Sequence, residues 1–178
     1  MMSAKSIIVA IILCLGLRAI TLEYPDLIDP TESRYAFVAQ EMVLSKDWIT
    51  PKLPFKGEVE PYLGKPPMHF WTTAGLFSIF GMDEWVVRLP SFLALLTICI
   101  SVLLLSRKEE FKKTYLTATL IIISSALLYF LSGASVVDVT LSAYTTISLV
   151  SAYFIITSDK KKYLPGIIFF ISLALGFL

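Results

Sequence analysis

Residues that could support a group-transfer reaction are concentrated in one polar segment of this chain, between long hydrophobic runs. The segment contains Asp29-Pro-Thr-Glu32, then Arg34, and further on Lys65-Pro-Pro67. A carboxylate outside the membrane can act as a base or as an electrostatic partner, and a lysine ammonium can bind a phosphate. Charged side chains near a bilayer are costly, so these residues are the first candidates for function.

Each of these charged residues also has a purely structural interpretation. Asp29 can be the N-cap of a helix with Pro30 at its first position, and Glu32 completes a capping-box arrangement. Arg34 can form a surface ion pair with Glu32 or with a later glutamate, and Lys65 can extend toward lipid headgroups. The residue types alone leave both interpretations open.

A further acid, Asp138, follows the small-residue turn from Ser132 to Ser135 and precedes a hydrophobic run. Its carboxylate can cap the next helix, an interaction worth ~1 kcal/mol. Alternatively, it can face a site shared with the polar segment, since acids at a membrane boundary favour a functional role.

The composition places the chain among membrane proteins. Of its 178 residues, 56% are hydrophobic and 16% are charged, whereas soluble domains are ~25% charged. The formal net charge of +1 gives no indication of nucleic-acid binding. Cys14 and Cys99 lie in apolar sequence and are expected to be buried thiols. His69 is the only histidine, so a metal site within the chain is not expected.

The hydropathy pattern predicts an all-α, multi-span membrane protein that forms a single membrane domain over residues 1–178. A membrane helix needs ~20 mostly apolar residues. Four full spans and a truncated fifth are expected at about 4–22, 86–105, 114–131, 139–157 and 164–178.

The outer loop, residues 23–85, is predicted to carry juxtamembrane helices at about 30–45 and 68–80. The first of these is amphipathic, because apolar residues recur at helical spacing. These residues are Tyr35, Val38, Ala39, Met42 and Val43.

The distribution of basic residues predicts the orientation in the membrane. If the spans alternate, Lys5 and the basic clusters at 107–113 and 160–162 fall on one side. Basic residues are enriched in cytoplasmic loops. The N-terminus is therefore predicted to be cytoplasmic, and the loop 23–85 extracytoplasmic.

Several motifs occur in an order that resembles a known family. They resemble the start of the polyprenyl-phosphate-dependent glycosyltransferases of the GT-C type, which include the aminoarabinose (lipid A) transferases and the protein O-mannosyltransferases. The motifs are Asp29-Pro-Thr-Glu-Ser-Arg-Tyr-Ala36, Gln40-Glu-Met42, Lys46-Asp-Trp48, Thr50-Pro51, Lys65-Pro-Pro67 with Trp71, Gly81 and Arg88-Leu-Pro90.

The resemblance implies transfer of a sugar from a polyprenyl-phosphate carrier to a lipid or protein acceptor, on the outer face of the cell inner membrane. It implies catalytic roles for Glu32, Asp29 and Asp138, and a contact to the donor phosphate from Lys65, with Arg34 as a second candidate. In the aminoarabinose transferases a glutamate that helps to hold a metal precedes this lysine. Here that position is Gly64, so no metal or other cofactor is predicted.

Several other interpretations remain open from the sequence. The chain could be a non-catalytic membrane subunit or an inactive truncated remnant of the same family, or it could need a second chain for the missing spans. A small transporter is a weaker alternative, because the spans lack the paired broken helices of a midplane binding site.

Overall fold

In the part of the chain that the structure describes, the protein is a bundle of helices with one small hairpin. The computed structural model describes residues 3–24, 26–27, 30–55, 58–105, 109–157 and 163–178. The elements are α1 (Ala4–Ile20) with a short 3-10 helix (Thr21–Glu23), α2 (Pro30–Ser45), β1 (Lys52–Phe55), β2 (Glu58–Pro61), α3 (Met68–Phe80), α4 (Glu84–Leu104), α5 (Glu109–Ser124), α6 (Ala126–Leu131), α7 (Val137–Thr157) and α8 (Tyr163–Phe177).

Three of these helical segments are long and apolar enough to cross a membrane, within the described residues. They are Ala4–Glu23, Glu84–Leu104 and Val137–Thr157, and Tyr163–Phe177 is a shorter apolar helix. The expected all-α membrane fold is therefore confirmed in its class. The residues predicted as one span at 114–131 are divided between α5 and α6, because the backbone is extended at Ser125.

The apolar face of α2 is buried against protein. Tyr35, Val38, Ala39 and Met42 are buried together with Phe70, Ala74 and Phe77 of α3 and Val86 and Val87 of α4. The helical spacing read from the sequence thus marks the face that packs on α3, and this packing fixes the position of the loop segment that carries the candidate acids.

A hairpin that the sequence analysis did not predict follows α2. Strands β1 and β2 are antiparallel and pair Lys52 with Pro61 and Pro54 with Val59. The turn before β1 is fixed by Asp47, whose carboxylate accepts hydrogen bonds from the backbone N–H groups of Ile49 (3.2 Å) and Thr50 (3.1 Å). The same carboxylate pairs with Lys52 at 2.8 Å.

The candidate residues lie at one end of the bundle, which we call the site end. There, the Arg88 Nη1 of α4 donates to the carbonyl oxygen of Leu22 at 2.9 Å. The Met68 N–H of α3 donates to the carbonyl oxygen of Leu178 at 3.1 Å. The end of α1, the start of α4, the start of α3 and the end of α8 therefore meet at the site end.

Candidate functional site

A buried ion pair lies at the centre of the site end. The Arg88 guanidinium donates from Nε to Glu32 Oε1 and from Nη2 to Glu32 Oε2, both at 3.2 Å. The side chains of Arg88 and Glu32 are only 1% and 10% exposed. A two-point contact of this kind suits the planar guanidinium fork and fixes the relative orientation of α2 and α4.

The turn between α6 and α7 is attached to this pair. The backbone N–H of Ser135 donates to Glu32 Oε1 at 2.7 Å. The Ser91 hydroxyl of α4 accepts from the Val136 N–H at 3.3 Å and lies 3.4 Å from the Val136 carbonyl oxygen. Two residues of α4 therefore hold the backbone that leads into α7: Ser91 contacts it directly, and Arg88 acts through Glu32.

His69 joins the same network from α3. Its Nδ1 lies 3.0 Å from Thr140 Oγ1, and its Nε2 lies 3.1 Å from Ser135 Oγ. The imidazole is 1% exposed, and burial lowers the pKa of His69 to about 4. The ring is therefore neutral at physiological pH, and both nitrogens form hydrogen bonds with hydroxyl groups. Within the described chain it joins α3 to α7 and is not part of any cluster of metal-ligating side chains.

Asp138 lies in the first turn of α7, with its side chain exposed. Burial raises the pKa of the Tyr35 phenol above its usual range, and the neighbouring Tyr62 hydroxyl and Asp138 carboxylate raise it further. Asp138 therefore acts electrostatically on Tyr35, which belongs to the outer loop.

Lys65 and Arg34 are both exposed, and neither forms an ion pair within the described part of the chain. Pro66, next to Lys65, and Val137, next to Asp138, line the same small cavity together with His69 and Thr140. Lys65 and Asp138 are thus each next in sequence to a residue that lines this cavity. Its volume is about 30 Å³, room for about one water molecule, whereas small-molecule pockets measure ~300–1,000 Å³.

The structure separates the predicted site residues into two groups. Glu32 is buried in the ion pair, whereas Asp138, Lys65 and Arg34 are exposed at or near the site end. Asp29 lies outside the described residues.

Residues 64–178 match the family of dolichyl-phosphate-mannose-protein mannosyltransferases. The chain belongs to this family. The undecaprenyl phosphate-alpha-4-amino-4-deoxy-L-arabinose arabinosyl transferase of Wigglesworthia glossinidia brevipalpis is similar to this chain, with 33% identity over 162 residues. The match covers 89% of this chain and 28% of the relative. The enzyme of that name from Pseudomonas aeruginosa (strain UCBPP-PA14) is 30% identical, over 84% of this chain and 27% of the relative.

The solved structures extend the comparison to the fold. The crystal structure of ArnT from Cupriavidus metallidurans bound to undecaprenyl phosphate has a TM-score of 0.86 at 20% identity, over 98% of this chain and 32% of ArnT. The apo crystal structure gives 0.83 at 22% identity. The mannosyltransferase-family resemblance is confirmed, and the chain is an integral membrane protein that spans about a third or less of the length of these relatives.

In this member of the mannosyltransferase family, the residue before Lys65 gives no support for a metal ligand. A Cβ atom at Gly64 would lie 3.2–3.3 Å from the ring and hydroxyl of Tyr62. The Tyr62 ring therefore occupies the space into which a longer side chain would extend. Within the described residues, no three His, Cys, Asp or Glu side chains cluster as metal ligands.

Two residues of the site were missed by the sequence analysis. Arg88 was noted only as part of a motif, and Ser135 only as part of a small-residue turn. A signal for Arg88 was present, because an arginine inside an otherwise apolar predicted span requires a partner. Nothing local indicates Ser135, because its partners, Glu32 and His69, are 103 and 66 residues away along the chain.

Proposed function

We propose that the chain takes part in transferring a sugar from a polyprenyl-phosphate carrier to a lipid or protein hydroxyl, on the extracytoplasmic face of the cell inner membrane. The observation that carries the proposal is the position of an exposed acid, Asp138, and an exposed lysine, Lys65, each next in sequence to a residue that lines one cavity. Family membership supports it, as do relatives named for undecaprenyl-phosphate aminoarabinose transfer.

The residue types suit the chemistry of such a transfer. The acceptor hydroxyl attacks the anomeric carbon, a carboxylate takes its proton, and the bond from that carbon to the phosphate oxygen breaks. Lys65, with Arg34, would neutralise the charge that develops on the leaving phosphate. Asp138, Glu32 and Asp29 are the candidate acids, and a base that activates direct in-line attack inverts the anomeric configuration.

The cavity lined by Pro66, His69 and Val137 is too small for the sugar donor. A cavity of about 30 Å³ cannot enclose a sugar ring. We propose that further spans, from the same or a second chain, supply the remaining walls. The small cavity equally favours a second candidate function, a non-catalytic membrane subunit that binds or assembles with an enzyme of this family.

A transfer assay with matched variants separates these two functions. Membranes that contain the protein and any partner chain receive a labelled polyprenyl-phosphate sugar. Asp138→Asn is expected to lower transfer by ~10²–10⁴-fold, the usual contribution of a general base. Lys65→Ala is expected to lower it by ~10²-fold or more through lost charge stabilisation.

The controls change equivalent charges elsewhere. Glu60→Gln removes an exposed acid from the hairpin, and Lys5→Ala removes an exposed lysine near the start of α1. Both variants should transfer at the wild-type rate. Equal transfer by wild type, Asp138→Asn and Lys65→Ala would refute the catalytic function and favour the subunit.

The proposed orientation has its own test. A cysteine introduced at position 57 should react with an impermeant maleimide added outside intact cells, and one at position 110 should react only after the membrane is opened. The opposite pattern would place the loop 23–85 in the cytoplasm and would contradict transfer on the outer face.

A further inference from the structure

Two of the three candidate acids, Glu32 and Asp138, lie within the described residues, and their environments differ. Both oxygens of Glu32 accept hydrogen bonds from Arg88, and Oε1 accepts another from the Ser135 N–H. Glu32 is 7% exposed. A carboxylate buried and engaged in this way is poorly placed to reach an acceptor hydroxyl, because a general base must lie within hydrogen-bond reach of the proton that it removes.

Asp138 has the complementary environment. It is exposed, and within the described residues its carboxylate forms no hydrogen bond or ion pair. It lies three residues beyond Ser135, whose N–H is held by Glu32. The position of Asp138 therefore depends on where the Glu32–Arg88 pair holds the backbone between α6 and α7.

Two residues of α4 hold this backbone from the same helical face. Arg88 and Ser91 are three residues apart and so lie on neighbouring turns. Arg88 acts on Ser135 through Glu32, and Ser91 contacts Val136 directly. From the other side, His69 contacts both the Ser135 hydroxyl and Thr140, in the first turns of α7. The backbone on either side of Asp138 is thus fixed by polar contacts from α2, α3 and α4.

We propose that Arg88 is a positioning residue for sugar transfer, which acts through Glu32 and the Ser135 N–H to hold Asp138 where it can act as the general base. The inference rests on the proposed function. It assigns different roles to Glu32 and Asp138, which the sequence analysis both predicts to be catalytic. Glu32 positions the backbone of the site, and Asp138 takes the proton from the acceptor hydroxyl.

A labelling experiment tests the positioning step without any turnover. Asp138→Cys is introduced, and its rate of reaction with a maleimide is measured in detergent-solubilised protein. The protein without this change gives the background from Cys14 and Cys99, which are half-buried and buried. Adding Arg88→Met should change the labelling rate at position 138 several-fold.

A reference cysteine at Glu60, on the hairpin, should label at an unchanged rate. If Arg88→Met alone prevents folding, the double variant Glu32→Gln/Arg88→Met removes both charges and keeps an acceptor for the Ser135 N–H. This double variant should still show the changed rate at position 138. An unchanged rate in a folded variant would overturn the positioning role.

Kinetics of the same residues test the division of roles. Arg88→Lys keeps the charge but loses the two-point contact, so kcat should fall ~10–100-fold while KM for the carrier stays near wild type. Glu32→Gln as a single change should likewise lower kcat while KM for the carrier stays near wild type. In the Asp138→Asn background it should have almost no further effect, because there is no longer a base to position.

The other outcomes count against the inference. Multiplicative losses from Glu32→Gln and Asp138→Asn would show that the acids act independently. Full loss in Glu32→Gln with transfer retained in Asp138→Asn would reverse the roles. If wild-type protein transfers no sugar, the proposed function fails, and the labelling experiment alone then decides whether Arg88 positions the backbone next to Asp138.

Discussion

Removal of one partner of the Glu32–Arg88 pair should destabilise the protein more than removal of both. The two side chains are 1% and 10% exposed, so the partner that remains would be a buried, unpaired charge. Breaking such a pair costs about 3–5 kcal/mol. We therefore expect Glu32→Gln and Arg88→Met each to lower the free energy of unfolding by about this amount.

The double variant Glu32→Gln/Arg88→Met should be less affected. It contains no buried charge, and the glutamine can still accept from the Ser135 N–H. Its main cost is the Leu22 carbonyl oxygen, which loses its Arg88 donor, and a buried unsatisfied polar group costs about 1–3 kcal/mol. The two single effects sum to about 6–10 kcal/mol, so the changes should be strongly non-additive.

Thermal unfolding in detergent measures these differences, with Cys99 as the reporter. Cys99 is 3% exposed, so a thiol-reactive dye should label it only as the bundle opens. For a chain of this length, 1 kcal/mol corresponds to about 2–4 °C in the melting temperature. The single variants should lose about 6–20 °C, and the double variant should lose less than either.

The surface pair between Lys52 and Asp47 provides the control. Its side chains are 31% and 32% exposed, and exposed pairs contribute little to stability. Lys52→Met should therefore leave the melting temperature almost unchanged. The reasoning is refuted if the double variant loses as much as the two single variants together, because the pair would then not be coupled in the folded protein.

Three further predictions use the same melting and transfer measurements. The lowered pKa of His69, about 4 against 6.5 when unfolded, means that the unfolded state binds more protons between these values, so stability is lost as pH falls. A shift from pH 7.5 to 5 should cost about 2 kcal/mol, and His69→Gln should remove this dependence; an equal loss in both proteins would contradict it. A Cβ atom at Gly133 would overlap the Arg18 guanidinium, so Gly133→Ala should cost about 1 kcal/mol through the lost hydrogen bond from Arg18 to the Phe130 carbonyl oxygen. In the Arg18→Met background, Gly133→Ala should leave the stability unchanged. Equal losses of stability in both backgrounds would be evidence against the contact between Arg18 and the Phe130 carbonyl oxygen. Because Gly64 offers no metal ligand, a chelator should leave transfer unchanged, and a loss that zinc restores would show the contrary.

The helices could be read from the sequence because their signals are local. Pro30 at a helix start and the spacing of Tyr35, Val38 and Met42 predict a helix whose buried face is the one observed. The hairpin could not be read in this way. Pro54 and Pro61 lie within its strands, and proline is unfavourable in a strand except at an edge, where its missing N–H faces outward.

The sequence offers candidate residues for the site but not the contacts between them. The local alternatives for Glu32 were a helix cap and a partner on the same helix, both a few residues away. Its actual partner, Arg88, is 56 residues along the chain. Such pairing depends on how α2 and α4 pack, and periodicity gives no information about which polar groups then meet.

The buried polar network also explains why apolar packing alone would not define this site. Hydrophobic contacts are non-directional, so the apolar faces of α4 and α7 can pack at several nearby registers with similar free energy. Hydrogen bonds weaken steeply when misaligned, and the contacts from Glu32, Ser91 and His69 select one register for the backbone around Ser135. An acid in this loop can therefore be essential without touching a substrate. Loss of activity on changing Glu32 would therefore not by itself identify Glu32 as the base. If that loss occurs only when Asp138 is present, Glu32 positions the site and Asp138 takes the proton.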